Sequence, residues 1–306
     1  PDYWKPNTVK VSKLIFSITT DSNVRAQKIK RNECQVMSYP KPADLATLKS
    51  DSNVEMPSQA GFNLGYVAYN VQHKPLDNVD VRRALDMAIN KKAIIDSVYQ
   101  GAGQPATNPM PPTEWSYDKN LKVASYDPNK AKALLAKAGY PNGFEIALWA
   151  MPVQRPYNPN ARLMAEMIQA DWAKIGVKAN IKTYEWGEYI KRGHAGEQDA
   201  YLIGWTGDNG DPDNWLGTLL GCEAINGNNF SKWCYKPFDE LVQKGRTTTD
   251  RAQRTKYYEE AQKIFADQLP FSPIAHSTVY QPTTKNVVDM KIDPLGYTRF
   301  DGVSLK

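Results

Sequence analysis

Short runs of β-branched and aromatic residues alternate with stretches of helical periodicity, and this alternation limits the chain to few folds. In the N-terminal part, predicted strands cover 13–19, 35–37 and 64–70, and predicted helices begin at Asp21 or Ser22 as N-cap and cover 43–49. In a β-α-β-α-β order, the strands form a sheet and the helices pack against its faces. The sequence therefore predicts the α/β class.

The same alternation continues to the C-terminal part. Predicted helices cover 79–101 with a break near Asn90, 128–139, the stretch from Asn160 to Gly176, 186–192 and, as a pair, 238–268, whereas predicted strands cover 144–150, 177–184, 200–204 and 269–275. A proline-rich stretch, 104–115, is predicted to be a loop. The end of the chain is predicted to form short strands and turns.

Length and composition exclude several classes of protein. The chain has 306 residues, enough for two ordinary domains or one large one. Its hydrophobic content of 41% and charged content of 23% are typical of a globular protein rather than a disordered or fibrous one. The net charge of +5 is spread without a basic run, so no nucleic acid partner is expected. No apolar stretch approaches the roughly 20 residues of a membrane span.

The first residues and the cysteines bear on the compartment. The sequence opens without Met and without the apolar core of a signal peptide, so we expect a removed signal or a start within a longer protein. Cys222 and Cys234 lie close together in a loop-rich stretch, where a disulfide would contribute about 3 kcal/mol; two reduced, buried thiols are the alternative. A disulfide would indicate an oxidising compartment. Cys34 would then have no partner in this chain.

Two polar loops of opposite charge follow predicted strands. Arg155 lies in a proline-rich loop after the strand 144–150, and Asp208 lies in a turn rich in Gly, Asp and Asn after 200–204. Ligands of open α/β sheets bind outside the carboxyl ends of strands. A guanidinium and a carboxylate there would complement the carboxylate and the ammonium of a short peptide. The structural alternatives are a salt bridge at Arg155 and a capping turn at Asp208.

Motifs for catalysis or metal binding are missing from the sequence. His73, His194 and His276 are far apart, and the signatures of serine hydrolases, zinc proteases and phosphate-binding loops are absent. The acidic turn at Asp208 lacks the glycine and glutamate of a calcium loop and is interrupted by Pro212. We therefore expect no enzymatic activity, no metal and no cofactor.

Five sequence words around these loops resemble the periplasmic dipeptide-binding proteins of bacterial ABC importers, in the peptide/nickel-type solute-binding family 5. The words are WAMPVQRPYNPNA (149–161), YEWGE (184–188), GWTGDNGDPDN (204–214), SKWCYKPF (231–238) and IAHSTV (274–279). The resemblance extends from about Lys13 to the C terminus. Relatives in this branch also bind haem or glutathione.

The resemblance implies a two-lobed periplasmic binding protein of type II, cluster C, whose lobes close on the ligand across a hinge. Residues 1–68 and 272–306 would form part of the first lobe, and 69–271 would form a complete second lobe. The amino-terminal part of the family and its small extra domain have no counterpart in this chain.

The resemblance also implies roles for single residues. Arg155 would hold the carboxylate of the peptide, and Asp208 its amino group. The implied pocket neighbours are Tyr157, Trp186 and the backbone of Trp205, Thr206 and Gly207. Cys222 and Cys234 match a disulfide of the family, and Cys34 matches a cysteine whose partner lies near the family's amino terminus.

The expected function is capture of dipeptides with free amino and carboxyl termini. We expect a monomer in the periplasm of a Gram-negative bacterium that delivers its ligand to an inner-membrane ABC permease. Haem or glutathione is the alternative ligand within the family. A peptidase or another hydrolase is the alternative from a different functional class.

Overall fold

The computed structural model describes residues 8–293 and 295–306. The chain divides into two compact units, one within residues 1–61 and 278–306, and the other comprising Phe62–Ser277. The loops that carry Arg155 and Asp208 both belong to Phe62–Ser277.

The helices begin largely where the sequence predicts. They are α1 (Ser22–Lys30), α2 (Pro42–Lys49), α3 (Val79–Ala88), α4 (Lys91–Ile94), α5 (Pro128–Lys137), α6 (Ala161–Ala173), α7 (Trp186–His194), α8 (Asp213–Leu220), α9 (Lys236–Thr247) and α10 (Arg251–Gln268). The side chains of Asp21, Asp127 and Asn160 each accept a hydrogen bond from the backbone N–H three residues later. Each therefore satisfies one of the N–H groups that the first turn of a helix leaves free.

The strands are mostly short outside the main sheet. They are β1 (Val54–Glu55), β2 (Ser58–Ala60), β3 (Asn63–Tyr69), β4 (Gly103–Pro105), β5 (Phe144–Trp149), β6 (Val177–Lys182), β7 (Ala200–Thr206), β8 (Phe271–Tyr280), β9 (Thr283–Thr284), β10 (Val287–Val288) and β11 (Ser304–Leu305). The domain boundaries expected from the sequence, after residues 68 and 271, lie inside β3 and β8.

The sheet of Phe62–Ser277 has the order β8-β3-β7-β5-β6, and β4 pairs with β8. β5 is parallel to both β6 and β7, whereas β3 is antiparallel to β7 and β8. Because β5 and β7 run in the same direction, the segments that follow them leave the same edge of the sheet. Those segments carry Arg155 and Asp208.

One face of this sheet packs against α3, α5 and α6. Val67 and Tyr69 of β3 belong to a buried cluster with Ile168 and Trp172 of α6 and with residues of α3 and α5. Trp172 also donates a hydrogen bond from its ring N–H to the carbonyl oxygen of Leu85, at 3.0 Å. The apolar stripe predicted for α6 thus forms the centre of the core.

The opposite face is covered by α7 and α10. Successive strand residues point to opposite sides, so Tyr66 faces away from the cluster of Val67 and stacks on Phe271 at 4.3 Å between ring centroids. Phe271 in turn contacts Phe265 of α10. Tyr201 of β7 stacks on Tyr189 of α7 at 4.4 Å. Helices on both faces of a sheet with parallel strands confirm the α/β class.

The unit within residues 1–61 and 278–306 has a small buried cluster of its own. Its buried cluster comprises Ala26, Ile29, Met37, Leu48 and Val54. The pairs β1–β9, β10–β11 and β2 with the C-terminal part of β8 supply its strand pairing.

The predicted strand 13–19 is wrong. This segment pairs with no strand among the described residues, and Phe16 and Ile18 are 73% and 93% exposed. Strand-like composition is not sufficient, because a strand also needs a partner edge for its backbone groups. The predicted strand 35–37 is reduced to a single bridge between Val36 and Thr283.

Helix α8 was not predicted, because the Pro212-Asp-Asn run was interpreted as part of a turn.

The disulfide between Cys222 and Cys234 is present, and Cys34 is a half-buried free cysteine. No helix within the described ranges has the length and apolar character needed to cross a membrane.

Candidate ligand-binding site

Arg155 begins a tight turn beyond the end of β5. Its backbone N–H donates to the carbonyl oxygen of Asn158, and the N–H of Asn158 donates back to the carbonyl of Arg155, both at 3.0 Å. Pro152 and Pro156 lie in this stretch and disfavour a helical continuation of the chain. The turn therefore projects from the sheet edge with a fixed backbone.

Tyr157 attaches this turn to the sheet at a pair of glycines. Gly65 of β3 and Gly204 of β7 are partners across the two strands. A Cβ at Gly204 would lie 2.2 Å from the Tyr157 ring, and a Cβ at Gly65 would lie 2.7 Å from the Tyr157 carbonyl oxygen. Only glycine leaves room for such a close approach. The glycine pair is thus a seat for Tyr157, which is 7% exposed.

Hydrogen bonds from β8 and from the helical turn that contains Tyr99 fix the same turn. The Tyr99 hydroxyl donates to the Tyr157 carbonyl at 2.7 Å, and the Ser277 hydroxyl donates to the Pro156 carbonyl at 2.6 Å. Asn63 donates in turn to the Ser277 hydroxyl at 2.9 Å. Burial raises the pKa of Tyr157 to about 12, although the nearby Arg155 guanidinium acts in the opposite direction. The Tyr157 hydroxyl therefore stays protonated at physiological pH.

The guanidinium of Arg155 has an aromatic neighbour but no acidic one. It lies over the ring of Trp186 at 4.2 Å from the ring centroid. Trp186 begins α7 and stacks on Tyr189 at 5.8 Å. In the described part of the chain, no carboxylate forms an ion pair with Arg155. The cation is oriented by packing on Trp186, and none of the described carboxylates neutralises its charge.

Asp208 lies two residues beyond the end of β7 and is exposed. Its backbone N–H donates to Oδ1 of Asn214 at 2.9 Å, and Nδ2 of Asn214 donates to Oδ2 of Asp208 at 3.1 Å. Trp205 also donates from its ring N–H to Oδ1 of Asn214 at 3.0 Å. Asn214 thus orients the carboxylate of Asp208 and ties it to the end of β7.

The other acidic residues of the turn are neutralised. Both carboxylate oxygens of Asp211 accept from Arg254, at 2.8 and 2.7 Å, and Asp213 pairs with Arg246 at 3.0 Å. Asp208 has no such counter-ion among the residues that are described. No group of residues suited to a metal ion is found over the same ranges. Asp208 thus differs from Asp211 and Asp213 in having only the uncharged Asn214 as a described side-chain partner.

The remaining residues expected at the site lie at the end of β7. Trp205 and Thr206 are half-buried, and Gly207 is buried with its N–H donating to the Phe62 carbonyl at 3.0 Å. A Cβ at Gly207 would lie 2.3 Å from the Phe62 ring. The segment 205–207 consequently enters the Asp208 turn with a backbone that packing restricts.

Three residues near the turn were missed by reasoning from the sequence. Asn214 occurs in the quoted word 204–214, but nothing in its spacing indicates that it would bind Asp208. Glu114 and Trp115 lie in the proline-rich stretch that was predicted only as loop. Trp115 donates from its ring N–H to the carbonyl of Gly210 at 3.1 Å. This contact joins positions that are distant in sequence, so no local pattern could indicate it.

Comparisons with known proteins identify relatives of the chain. The family model "Bacterial extracellular solute-binding proteins, family 5 Middle" matches residues 1–227. Di/tripeptide-binding protein 1 of Pseudomonas aeruginosa (strain UCBPP-PA14) is 66% identical over 304 residues, which are 99% of this chain and 57% of that protein. Heme-binding protein A of Haemophilus influenzae is 47% identical over 304 residues, 99% of this chain and 55% of that protein.

A solved structure agrees with this relationship. The dipeptide binding protein from Pseudoalteromonas sp. SM9913, in complex with Met-Leu, is similar with a TM-score of 0.89 and 40% sequence identity, covering 94% of this chain and 57% of that one. The chain thus spans little more than half the length of the relatives it matches. The fold class and the family resemblance expected from the sequence are confirmed. The chain belongs to family 5 of the bacterial extracellular solute-binding proteins.

Proposed function

We propose that this chain captures dipeptides with free termini, with Arg155 binding the carboxylate and Asp208 binding the ammonium. The observation that carries the proposal is a pair of opposite charges, neutralised by no described residue, on turns that leave one edge of the sheet. A relative named as a di/tripeptide-binding protein supports the same ligand class.

The two charges suit the ends of a zwitterion for different reasons. A guanidinium can donate two parallel hydrogen bonds to a carboxylate, which gives strength and direction. An ammonium group removed from water costs several kcal/mol unless a carboxylate compensates it. Tyr157, Trp186 and the segment 205–207 would then provide the walls next to the two ends of the ligand. Since the ends are recognised by charge, the side chains of the ligand can vary.

Haem is the second candidate, because one relative is named a heme-binding protein. The propionates of haem could bind Arg155, but haem has no ammonium group for Asp208. Glutathione has both a free ammonium and free carboxylates and fits the two charges better. The geometry therefore favours a zwitterion over haem.

The proposal also covers the cellular compartment, the oligomeric state and the transport partner of the protein. The family consists of extracellular solute-binding proteins, and we place this member in the periplasm of a Gram-negative bacterium, as a monomer that delivers its ligand to an inner-membrane ABC permease. We assign it binding rather than catalysis. We also place residues 69–271 in the second lobe and the remainder in part of the first.

The proposal is tested with peptides whose amino or carboxyl terminus is capped. The protein used is expressed from its complete reading frame. Isothermal calorimetry with L-Ala-L-Phe is compared with its N-acetyl derivative, its C-terminal amide, glutathione and haemin. We expect each cap to lower affinity by about 100-fold, since each removes a charged hydrogen bond worth roughly 1.5–3 kcal/mol and can leave a protein charge unpaired. Equal binding of free and capped peptides, preference for haemin, or recovery of cleaved peptide would refute the proposal.

A further inference from the structure

Glu114 is a buried carboxyl group that the proposed binding chemistry does not use. It is 4% exposed, and its Oε1 accepts from the backbone N–H of Trp115 at 3.0 Å. Its Oε2 is buried without a hydrogen-bond partner in the described structure. A carboxylate in that position would carry a charge that no well-placed hydrogen bond on Oε2 compensates, which is costly.

Glu114 and Trp115 lie directly beneath the turn that carries Asp208. Trp115 donates from its ring N–H to the carbonyl of Gly210. Trp215 lies on the inner side of the same turn, and a Cβ at Gly207 would be 3.0 Å from its ring. The ring N–H of Trp215 and Oε2 of Glu114 are both buried without a described partner in hydrogen-bond geometry, but the Trp215 N–H is close enough to act against the rise in the pKa of Glu114. Glu114 thus adjoins two parts of the support, Trp115 through the backbone N–H that it accepts and Trp215 through its ring N–H.

The charged groups around Glu114 come from the turn and from α10. Asp211 of the turn and Arg251 of α10 act on it electrostatically, with opposite effects. Arg254 of α10 is held by Asp211, and Arg251 and Arg254 both lie over the ring of Trp115, at 4.8 and 5.3 Å from its centroid. The negative charge that acts on Glu114 thus belongs to the turn itself.

Burial raises the pKa of Glu114 to about 7; the Trp115 N–H acts against this rise and the Asp211 carboxylate adds to it. An ionised Glu114 would repel Asp211 and attract the ring N–H of Trp215. Each of these changes would move the turn from below.

We propose that Glu114 positions the Asp208 turn only as the neutral acid, so that the turn loosens and ligand affinity falls as the solution becomes alkaline. The effect on affinity rests on the proposed function, whereas the effect on the turn does not. Glu114 acts through the turn and has no contact with the ligand in this proposal.

Hydrogen exchange of the ligand-free protein, produced from its complete reading frame, tests the effect on the turn. The exchange of the amides of 207–215 is followed between pH 6 and pH 8.5. Each rate is expressed as a protection factor, the ratio of the intrinsic to the observed exchange rate, which removes the pH dependence of the chemistry itself. We expect their protection to fall about tenfold in the wild type and less than twofold in Glu114→Gln, which stays neutral. The exposed Glu260→Gln on α10 is the matched control and should follow the wild type. Glu114→Leu should give lower but pH-independent protection.

Calorimetry with L-Ala-L-Phe over the same pH range tests the effect on affinity. The amino group of the peptide itself titrates near pH 8, so the ratio of the wild-type Kd to the Glu114→Gln Kd is the quantity compared. We expect this ratio to rise about tenfold between pH 6 and pH 8.5. Wild-type protection that is independent of pH, or an equal fall in Glu114→Gln, would overturn the proposal. Absence of peptide binding in every protein would refute the proposed function and leave the exchange result to decide the role of Glu114.

Discussion

The Arg155 turn and the Asp208 turn leave the same edge of the sheet, but different interactions hold them. Tyr157 seats the Arg155 turn on two strand glycines, with almost no space to spare. The Asp208 turn is exposed and is held by side-chain hydrogen bonds from Asn214, by the Trp115 contact and by the Asp211–Arg254 pair. Close packing of Tyr157, supplemented by hydrogen bonds from Tyr99 and Ser277, fixes the first turn, whereas side-chain polar contacts predominate in the second.

The difference indicates how each end of a ligand would be bound. A turn locked by packing changes only if the core changes, because protein interiors are close-packed. A turn held by polar contacts responds to single hydrogen bonds and to pH. We therefore expect substitutions at the first turn to affect stability and binding together, and substitutions at the second turn to separate the two.

The largest effect should come from Gly204→Ala. The new Cβ would lie 2.4 Å from the carbonyl oxygen of Leu64, a backbone atom in the neighbouring strand, as well as against the Tyr157 ring. We expect a loss of roughly 3 kcal/mol of unfolding free energy, at the upper end of overpacking costs, together with loss of peptide binding. Urea unfolding and calorimetry measure these two quantities.

Gly210→Ala is the matched control for this substitution. A Cβ at Gly210 would meet nothing within 4 Å, so stability should stay within about 0.5 kcal/mol of the wild type. If both variants were equally stable, the close seat of Tyr157 would not be what fixes the Arg155 turn.

The next effect is a smaller loss of stability, which we expect for Asp211→Asn but not for Asp208→Asn. Asp211→Asn breaks the pair with Arg254 and should lower stability by about 1–2 kcal/mol. Asp208→Asn breaks no ion pair, so its stability should remain within roughly 0.5 kcal/mol while peptide affinity falls by about 100-fold. Thermal unfolding and calorimetry on both variants measure the separation. Equal losses of stability would show that Asp208 has a structural role like that of Asp211.

The smallest effect is expected from Asn214→Ala. This change removes the hydrogen bonds to Asp208 and Trp205 while leaving the carboxylate of Asp208 in place. Affinity for L-Ala-L-Phe should fall about tenfold, which corresponds to roughly 1.4 kcal/mol. Thr218→Ala, later in the same helix α8, is a control that should bind normally. Unchanged affinity in Asn214→Ala would mean that Asp208 needs no orientation.

Much of this architecture could be predicted from local sequence. Local signals were sufficient for the apolar stripe of α6, for its Asn160 cap and for the proline-rich loop that follows β5. Each of these features depends on residues close together in the sequence. The strand prediction for 13–19 was wrong because a strand forms only where another strand is available to pair with it. The seat of Tyr157 and the support beneath Gly210 could not be predicted either, since each joins segments far apart in sequence.

The central claim is that Arg155 and Asp208 bind opposite ends of a dipeptide, and a cycle that combines variants with capped ligands tests it most directly. Calorimetry compares wild type, Arg155→Ala and Asp208→Asn with L-Ala-L-Phe, its amide and its N-acetyl derivative. We expect Arg155→Ala to weaken the free peptide by about 100-fold but the amide by less than about threefold, a coupling of roughly 2 kcal/mol. Asp208→Asn should couple in the same way to the N-acetyl cap alone. Additive losses, or coupling of either residue to the opposite cap, would contradict the claim.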